Sequence, residues 1–306
     1  MPLIINKDMP VYTMLRAQHP ETLAQDGSYR QEDVLHLVLL NLMSDKITTE
    51  LQYLRCLGTS SQYIQVEFMR QTTYRSVRQD EGYLQRFYLT LADVKARHFD
   101  GMVITGAPLE HISCEDTLYW EEFCQILKWS KTNVKSIFAG CWGAFAGVHR
   151  DHGVAKTNLP QKLSGIFALD CFAPEEPLFR GCGNPMLIPL SRATDMDLED
   201  VKRAPELVLL ASAKNGSPVF LKSKDNQYIY CTGHPEYEQT RLAMEYARDS
   251  GKEKAWITQI PQNYFPENDP SREPTDTWIE PGMQLFRNWL AFYVCKQPAA
   301  KELLNV

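Results

Sequence analysis

One cysteine, one histidine and one glutamate stand in the surroundings that thiol chemistry needs. Cys141 lies in Ser-Ile-Phe-Ala-Gly-Cys-Trp-Gly-Ala-Phe, residues 136–145. The segment reads as a short buried strand, a tight turn eased by Gly140 and Gly143, and the start of a helix. In an open parallel sheet, ligands bind at the carboxyl ends of strands. A helix N-terminus favours an anion, and so the thiolate over the thiol. Backbone amides in such a turn can donate to an oxyanion developing on an attacked carbonyl, and elbow-type hydrolases place a hydroxyl nucleophile by the same layout. A free cysteine is more often a packing residue, so Cys141 needs a partner. Gly-His-Pro-Glu-Tyr at 233–237 supplies one. His234 is the usual base for a thiol, and Glu236 can fix its tautomer and balance its charge. If the preceding strand, 227–232, continues, side chains two apart project to the same side. The chemistry implied is acyl capture by Cys141, with His234 and Glu236 activating it.

The elements that must position these residues follow from the hydrophobic pattern. Residues 35–42 form a nearly continuous apolar run, as in a strand buried on both faces. Residues 46–57 carry Ile47, Leu51, Leu54 and Leu57 at helical spacing, and 63–70 alternate as a strand does. A helix near 91–97 precedes a buried strand at 101–105, which ends in the sharp turn Gly106-Ala107-Pro108. A helix at 117–129, a strand at 136–140 and a helix at 143–148 follow. This alternation predicts an α/β fold with a flavodoxin-like parallel sheet covered by helices on both faces. Beyond it, 162–192 is loose and rich in Pro and Gly. Strands are expected at 207–211, 218–221 and 227–232, the last two joined by a polar turn, then a helix at 238–248, an ordered loop at 259–282 and a closing amphipathic helix at 283–294. Residues 1–34 read as an irregular N-terminal arm, 35–296 as a single α/β domain and 297–306 as a C-terminal tail.

Bulk properties narrow the function. The 306 residues are 44% apolar and 23% charged, with a net charge of −6; no basic block marks a nucleic-acid surface. No apolar run is long enough for a membrane span, and the N-terminus lacks the pattern of a secretory signal. A cytoplasmic location and reduced thiols are therefore expected. The eight cysteines include no Cys-x-x-Cys pair, and His149 with His152 has only Asp151 nearby, so neither a metal nor a bound cofactor is expected. The partners expected are small-molecule substrates, and the assembly that the chain could form is a homodimer.

The chain resembles the homoserine O-acyltransferases of methionine biosynthesis, the homoserine transsuccinylase group, along nearly its whole length. The likeness runs through Asn41-Leu42-Met43 with Lys46-Ile47 and Thr49-Glu50, Phe99-Asp100-Gly101, and Thr105-Gly106-Ala107-Pro108-Leu109. It continues through Tyr119-Trp120, Trp129-Ser130-Lys131, Cys141-Trp142, Lys162-Leu163-Ser164-Gly165 and Ser191-Arg192. It ends with Thr232 to Tyr237, Asn263-Tyr264-Phe265-Pro266 and Asn268-Asp269-Pro270. The resemblance implies a fold like that of class I glutamine amidotransferases. It implies Cys141 as the acyl-thioester nucleophile, His234 as proton acceptor and Glu236 as the second catalytic acid. Substrate contacts would fall to Lys162, Ser191 and Arg248. Glu110 matches the position that sorts acyl donors, where Gly accompanies succinyl transfer and Glu accompanies acetyl transfer. A succinyl carboxylate would be repelled by Glu110, so acetyl-CoA is the implied co-substrate.

Some positions depart from the family pattern: Leu190, Ala193, Leu169 and Phe145 replace polar or aromatic residues, and Ser44 replaces a proline. Several are expected near the acceptor pocket. L-serine, feeding cysteine biosynthesis, therefore stands beside L-homoserine as acceptor, since one methylene is worth only about 1–3 kcal/mol of discrimination. Taken alone, Arg248 reads as an ion pair with Glu245, three residues before it. Other classes also fit a strand-end cysteine: a glutamine amidotransferase-like cysteine hydrolase, though Ala139 breaks its Gly-x-Cys-x-Gly turn, or a catalytically silent binding protein.

Overall fold

The computed structural model describes residues 2–74, 80–109, 111–250 and 259–295. The apolar runs become strands and the 3.6-residue patterns become helices. In chain order these are β1 (Leu3–Ile4), α1 (Pro10–Gln18), β2 (Val34–Leu40), α2 (Lys46–Leu57), β3 (Tyr63–Met69), α3 (Glu81–Phe87) and β4 (Tyr88–Leu89). There follow α4 (Leu91–Val94), β5 (Phe99–Ile104), α5 (Trp120–Asn133), β6 (Val134–Gly140), α6 (Trp142–His152), β7 (Lys156–Cys171) and β8 (Leu187–Met196). The last are α7 (Leu198–Arg203), β9 (Leu207–Ala213), β10 (Pro218–Ser223), β11 (Tyr228–Cys231), α8 (Arg241–Asp249) and α9 (Ile279–Trp289), which runs on as a π-helical turn, Leu290–Val294.

One sheet joins the strands in the order β1-β3-β2-β5-β6-β11-β10-β9-β7-β8, with β4 also on β3. From β3 to β11 every neighbouring pair is parallel. Beyond β11 the ladders are antiparallel, so the sheet is mixed rather than wholly parallel. Leu37 and Leu39 pack with Val11, Leu54 and Trp289 on one face; Val38 and Leu40 pack with Phe123, Ile126 and Val148 on the other. This alternation buries both faces of β2, which is why its sequence shows no polar side. No helix among the described residues is long and apolar enough to cross a membrane.

Two readings need correction. Residues before β2 are not irregular: β1 pairs parallel with β3, and α1 buries Val11 and Leu15 against the core. A nine-residue helix holding two core contacts gives a weak periodic signal. The loose stretch is instead a long β7–β8 hairpin. Gly165 there, at φ 143°, passes so close to Gln262 that a Cβ would lie 2.2 Å from its carbonyl oxygen. A glycine that reads as a loop signal is serving a close backbone approach.

At the start of α2, Asp45 caps Thr48 N–H at 3.2 Å, and Lys46 Nζ donates to Asn41 O at 2.6 Å. Glu50 accepts from the hydroxyls of Tyr83 and Tyr88. Burial pushes the Glu50 carboxyl up to about 7, against the pull of Tyr88, Tyr83 and Lys46. Folded Glu50 thus holds its proton at pH values where an unfolded glutamate has lost it. Its contribution to stability is full below the unfolded pKa and is lost as pH rises through about 7. Glu50→Gln should remove a stability loss on the order of 2 kcal/mol between pH 5 and 8. Denaturant midpoints across that range check it; an unchanged slope in the variant would assign the loss elsewhere.

Candidate active site

Cys141 follows β6 directly and caps α6. Its φ of 46° and ψ of −118° lie in a region that side chains other than glycine rarely adopt, the strained turn of a nucleophile elbow. Neighbouring contacts hold the turn: Cys141 N–H donates to Cys231 O at 2.7 Å, while its carbonyl accepts from Ala144 and Phe145 at 2.9 and 3.1 Å. Gly143 has no room for a Cβ, which would sit 2.8 Å from Ile104 Cγ2 and 2.9 Å from Thr105 O. Cys141 keeps 7% exposure, at the carboxyl end of β6. Gly106, after β5, leans over it: a Cβ there would lie 3.1 Å from Cys141 Cβ and 3.6 Å from Sγ. The missing side chain leaves the sulfur approachable, a role that the turn signal at Gly106 did not distinguish.

His234 Nδ1 and Glu236 Oε1 are 2.8 Å apart, and both residues are buried. The contact does not arise from a continued strand. β11 stops at Cys231, and the chain turns so that Tyr237 N–H bonds back to His234 O. His234 N–H is held by Pro189 O at 2.9 Å. Nε2 is buried without an aligned hydrogen bond among the described residues, so it is the nitrogen available to a reacting group. Burial opposes charge on this ring, but Cys141 and then Glu236 outweigh it and hold the imidazole well above its ordinary pKa. The ring is therefore held in its protonated form, with Cys141 the largest influence favouring the charge. Elsewhere, burial pushes the thiols of Cys56, Cys114 and Cys182 up to about 12, 11 and 12, which keeps them un-ionised.

The remaining predicted residues separate. Lys162 on β7 and Ser191 on β8 meet at Glu245 of α8: Ser191 Oγ donates to Glu245 Oε2, and Lys162 Nζ lies 3.6 Å from the same atom. Lys162 also faces Asp249 at 3.4 Å. Arg248 does not pair with Glu245; both its Nε and Nη2 reach Asp249 at 2.8 Å. Glu245 is instead occupied by Ser191, Tyr237, Lys162 and Arg241. Glu110 lies outside the described residues. Leu169 and Leu190 belong to the main core, and Leu190 packs where a Cβ on Gly233 would be 3.0 Å away. Phe145 lies under Arg192, 5.4 Å from ring centre to guanidinium. Leu190 and Phe145 thus fill interior space beside Gly233 and Arg192.

Several supporting residues were not picked out from the sequence. Arg55 of α2 donates to Glu236 O at 3.0 Å, and Gln52 reaches Glu238 at 2.9 Å. The buried Arg192 guanidinium bonds Thr232 O at 3.2 Å and Asp195 at 3.1 Å, fixing the chain just before Gly233. Tyr237 stacks on His234 with centroids 4.1 Å apart. Polar residues inside an apolar helix pattern are the signal for Gln52 and Arg55, while Arg192 and Tyr237 stand within the family matches quoted above. His149 pairs with Glu115, and His152 with Tyr230; no cluster fit for a metal occurs among the described residues.

The sheet order gives an α/β fold like that of class I glutamine amidotransferases. A glutamine amidotransferase structure from Thermotoga maritima covers 86% of this chain and 99% of its own, with TM-score 0.53 and 10% identity. One from Methylobacillus flagellatus covers 84% and 94%, with TM-score 0.53 and 12% identity. These are likenesses of fold. Sequence gives the family: residues 2–300 match homoserine O-succinyltransferase, and the chain belongs to that family. Its relatives include homoserine O-acetyltransferases from Geobacillus sp. (strain WCH70), 39% identical over 97% of this chain and 98% of the relative, and from Bacillus subtilis (strain 168), 36% identical with the same coverage.

Proposed function

We propose that the chain is an acetyl-CoA-dependent O-acetyltransferase acting on the side-chain hydroxyl of L-homoserine, in methionine biosynthesis, through an acetyl-Cys141 intermediate. The observation that carries this reading is Cys141 in a strained elbow, acting as the largest influence that raises the pKa of His234, whose ring is paired with Glu236. The acetyl donor and homoserine acceptor are supported by the names of the full-length relatives, none of which points to cysteine biosynthesis. In the first half-reaction the Cys141 thiolate attacks the thioester carbonyl, and the oxyanion is met by the first amides of α6. The bond to coenzyme A breaks, and coenzyme A leaves with the proton from His234 Nε2. Thioester formation removes the thiolate that held the ring protonated, leaving neutral His234 as a base. In the second half-reaction the acceptor carboxylate binds Lys162 and Arg248, replacing Asp249 as their partner. The hydroxyl gives its proton to Nε2, its oxygen bonds the acetyl carbon, and Cys141 leaves as thiolate.

Assaying acetyl-CoA and succinyl-CoA against L-homoserine and L-serine tests the assignment. Acetyl-CoA with L-homoserine should give the highest kcat/KM, with L-serine lower by about 10–200-fold. A preference for L-serine would overturn the acceptor, and a preference for succinyl-CoA the donor. Glu110→Gly should raise the succinyl-to-acetyl ratio by about tenfold or more, the outcome expected when a residue that disfavours a second carboxylate on the donor is removed. An unchanged ratio would take Glu110 out of donor selection.

A further inference from the structure

Glu245 is a buried carboxylate, 7% exposed, with donors from four parts of the chain. Its Oε1 accepts from Tyr237 Oη at 2.9 Å and Arg241 Nε at 3.2 Å. Its Oε2 accepts from Ser191 Oγ and faces Lys162 Nζ at 3.6 Å. Tyr237 in turn lies flat on the His234 ring, 19° from parallel. One side of this carboxylate thus reaches the imidazole through a single aromatic ring, and the other holds Lys162, assigned above to the acceptor carboxylate, and Ser191, an expected substrate contact.

We propose that Glu245 is a positioning residue that sets the acceptor-holding side chains, Lys162 and Ser191, in register with the His234 ring, and so serves transfer to the hydroxyl rather than acylation of Cys141. This rests on the acyltransferase reading above. Attack on the acyl donor uses Cys141, His234 and the elbow amides; Glu245 hydrogen-bonds to none of them. Transfer to the acceptor also needs the hydroxyl within hydrogen-bond reach of Nε2 while its carboxylate sits on Lys162 and Arg248. A misplacement of about 1 Å there slows reaction by about a hundredfold. Burial alone would disfavour the Glu245 anion, but Lys162, the Ser191 hydroxyl, His234 and Arg241 keep it ionised, its pKa below the ordinary value. Glutamine keeps the size but turns an NH2 toward one pair of these donors, so it cannot hold both sides together.

Separate rapid-quench measurements of the two half-reactions test this on the full chain. For Glu245→Gln, acetylation of Cys141 by acetyl-CoA alone should stay within about threefold of the natural protein, while discharge by L-homoserine falls about 30-fold or more, as loss of a charged hydrogen-bond hub predicts. Discharge by water, which needs no acceptor site, should be unchanged. Tyr237→Phe removes only the hydroxyl that links the stacked ring to Glu245. It should slow discharge by about tenfold with acetylation retained, and it decides the matter if the glutamine variant does not fold. Equal slowing of both steps, or an unslowed discharge by L-homoserine, would overturn the role of Glu245 and leave the acyltransferase reading intact. Failure of the natural protein to acetylate Cys141 at all would overturn that reading, and this inference with it.

Discussion

Cys141→Ala should abolish O-acyl transfer, lowering kcat/KM by about four to six orders of magnitude, the loss found when the nucleophile of a covalent catalyst is removed. The size of the effect follows from the proposed mechanism: without the sulfur there is no acyl-enzyme, and the hydroxyl would have to attack acetyl-CoA directly. The fold should survive. The backbone at Cys141 is held by Cys231 O, Ala144 N–H and Phe145 N–H, none of which uses the side chain. The strained φ remains, and alanine tolerates it no worse than cysteine. Steady-state kinetics beside a denaturation curve check both halves of this expectation. Transfer within about tenfold of the natural protein would exceed anything the oxyanion amides and substrate binding alone supply, and would remove Cys141 from the chemistry.

Glu236→Gln should lower turnover by about 10⁴-fold, the scale seen when the carboxylate orienting a catalytic histidine is made neutral. Glutamine fits the same space, and its NH2 can donate to His234 Nδ1. That bond selects the tautomer with its proton on Nε2, the nitrogen that must accept the hydroxyl's proton. The pH dependence should change too. Burial opposes the charged ring, and Cys141 and Glu236 together outweigh it. A raised pKa means that the charged form persists to higher pH; without Glu236 it is lost at lower pH. The alkaline limb of kcat/KM for acetyl-CoA should therefore move to lower pH in the variant. An alkaline limb at the same pH would show that Glu236 contributes no charge stabilisation to the ring.

Much of this site was legible in the sequence, for local reasons. A buried strand running into Gly-Cys-Trp-Gly leaves few conformations open to Cys141, and His-Pro-Glu after another strand leaves few to His234. The parallel ladder between β6 and β11 then brings the two segments side by side. What stayed hidden depends on packing between distant elements. In the antiparallel half of the sheet β9, β10 and β11 are legible as strands, but β7 and β8 are not: Gly165 reads as a loop residue although a close backbone approach to Gln262 requires it. Helical spacing taken alone pairs Arg248 with Glu245, but Glu245 is already occupied from β7, β8 and the turn after β11, and Arg248 takes Asp249 instead. Gly106 was visible only as a turn residue, because its role depends on where Cys141 lies across the sheet.

Acetyl-CoA alone, added to the purified chain and followed by peptide mass analysis, addresses the central claim most directly. The account predicts one acetyl group per chain, found only on the peptide bearing Cys141 and discharged when L-homoserine is added, with O-acetylhomoserine appearing in equal amount. Formation of O-acetylhomoserine while Cys141 stays unmodified under rapid quenching would contradict it.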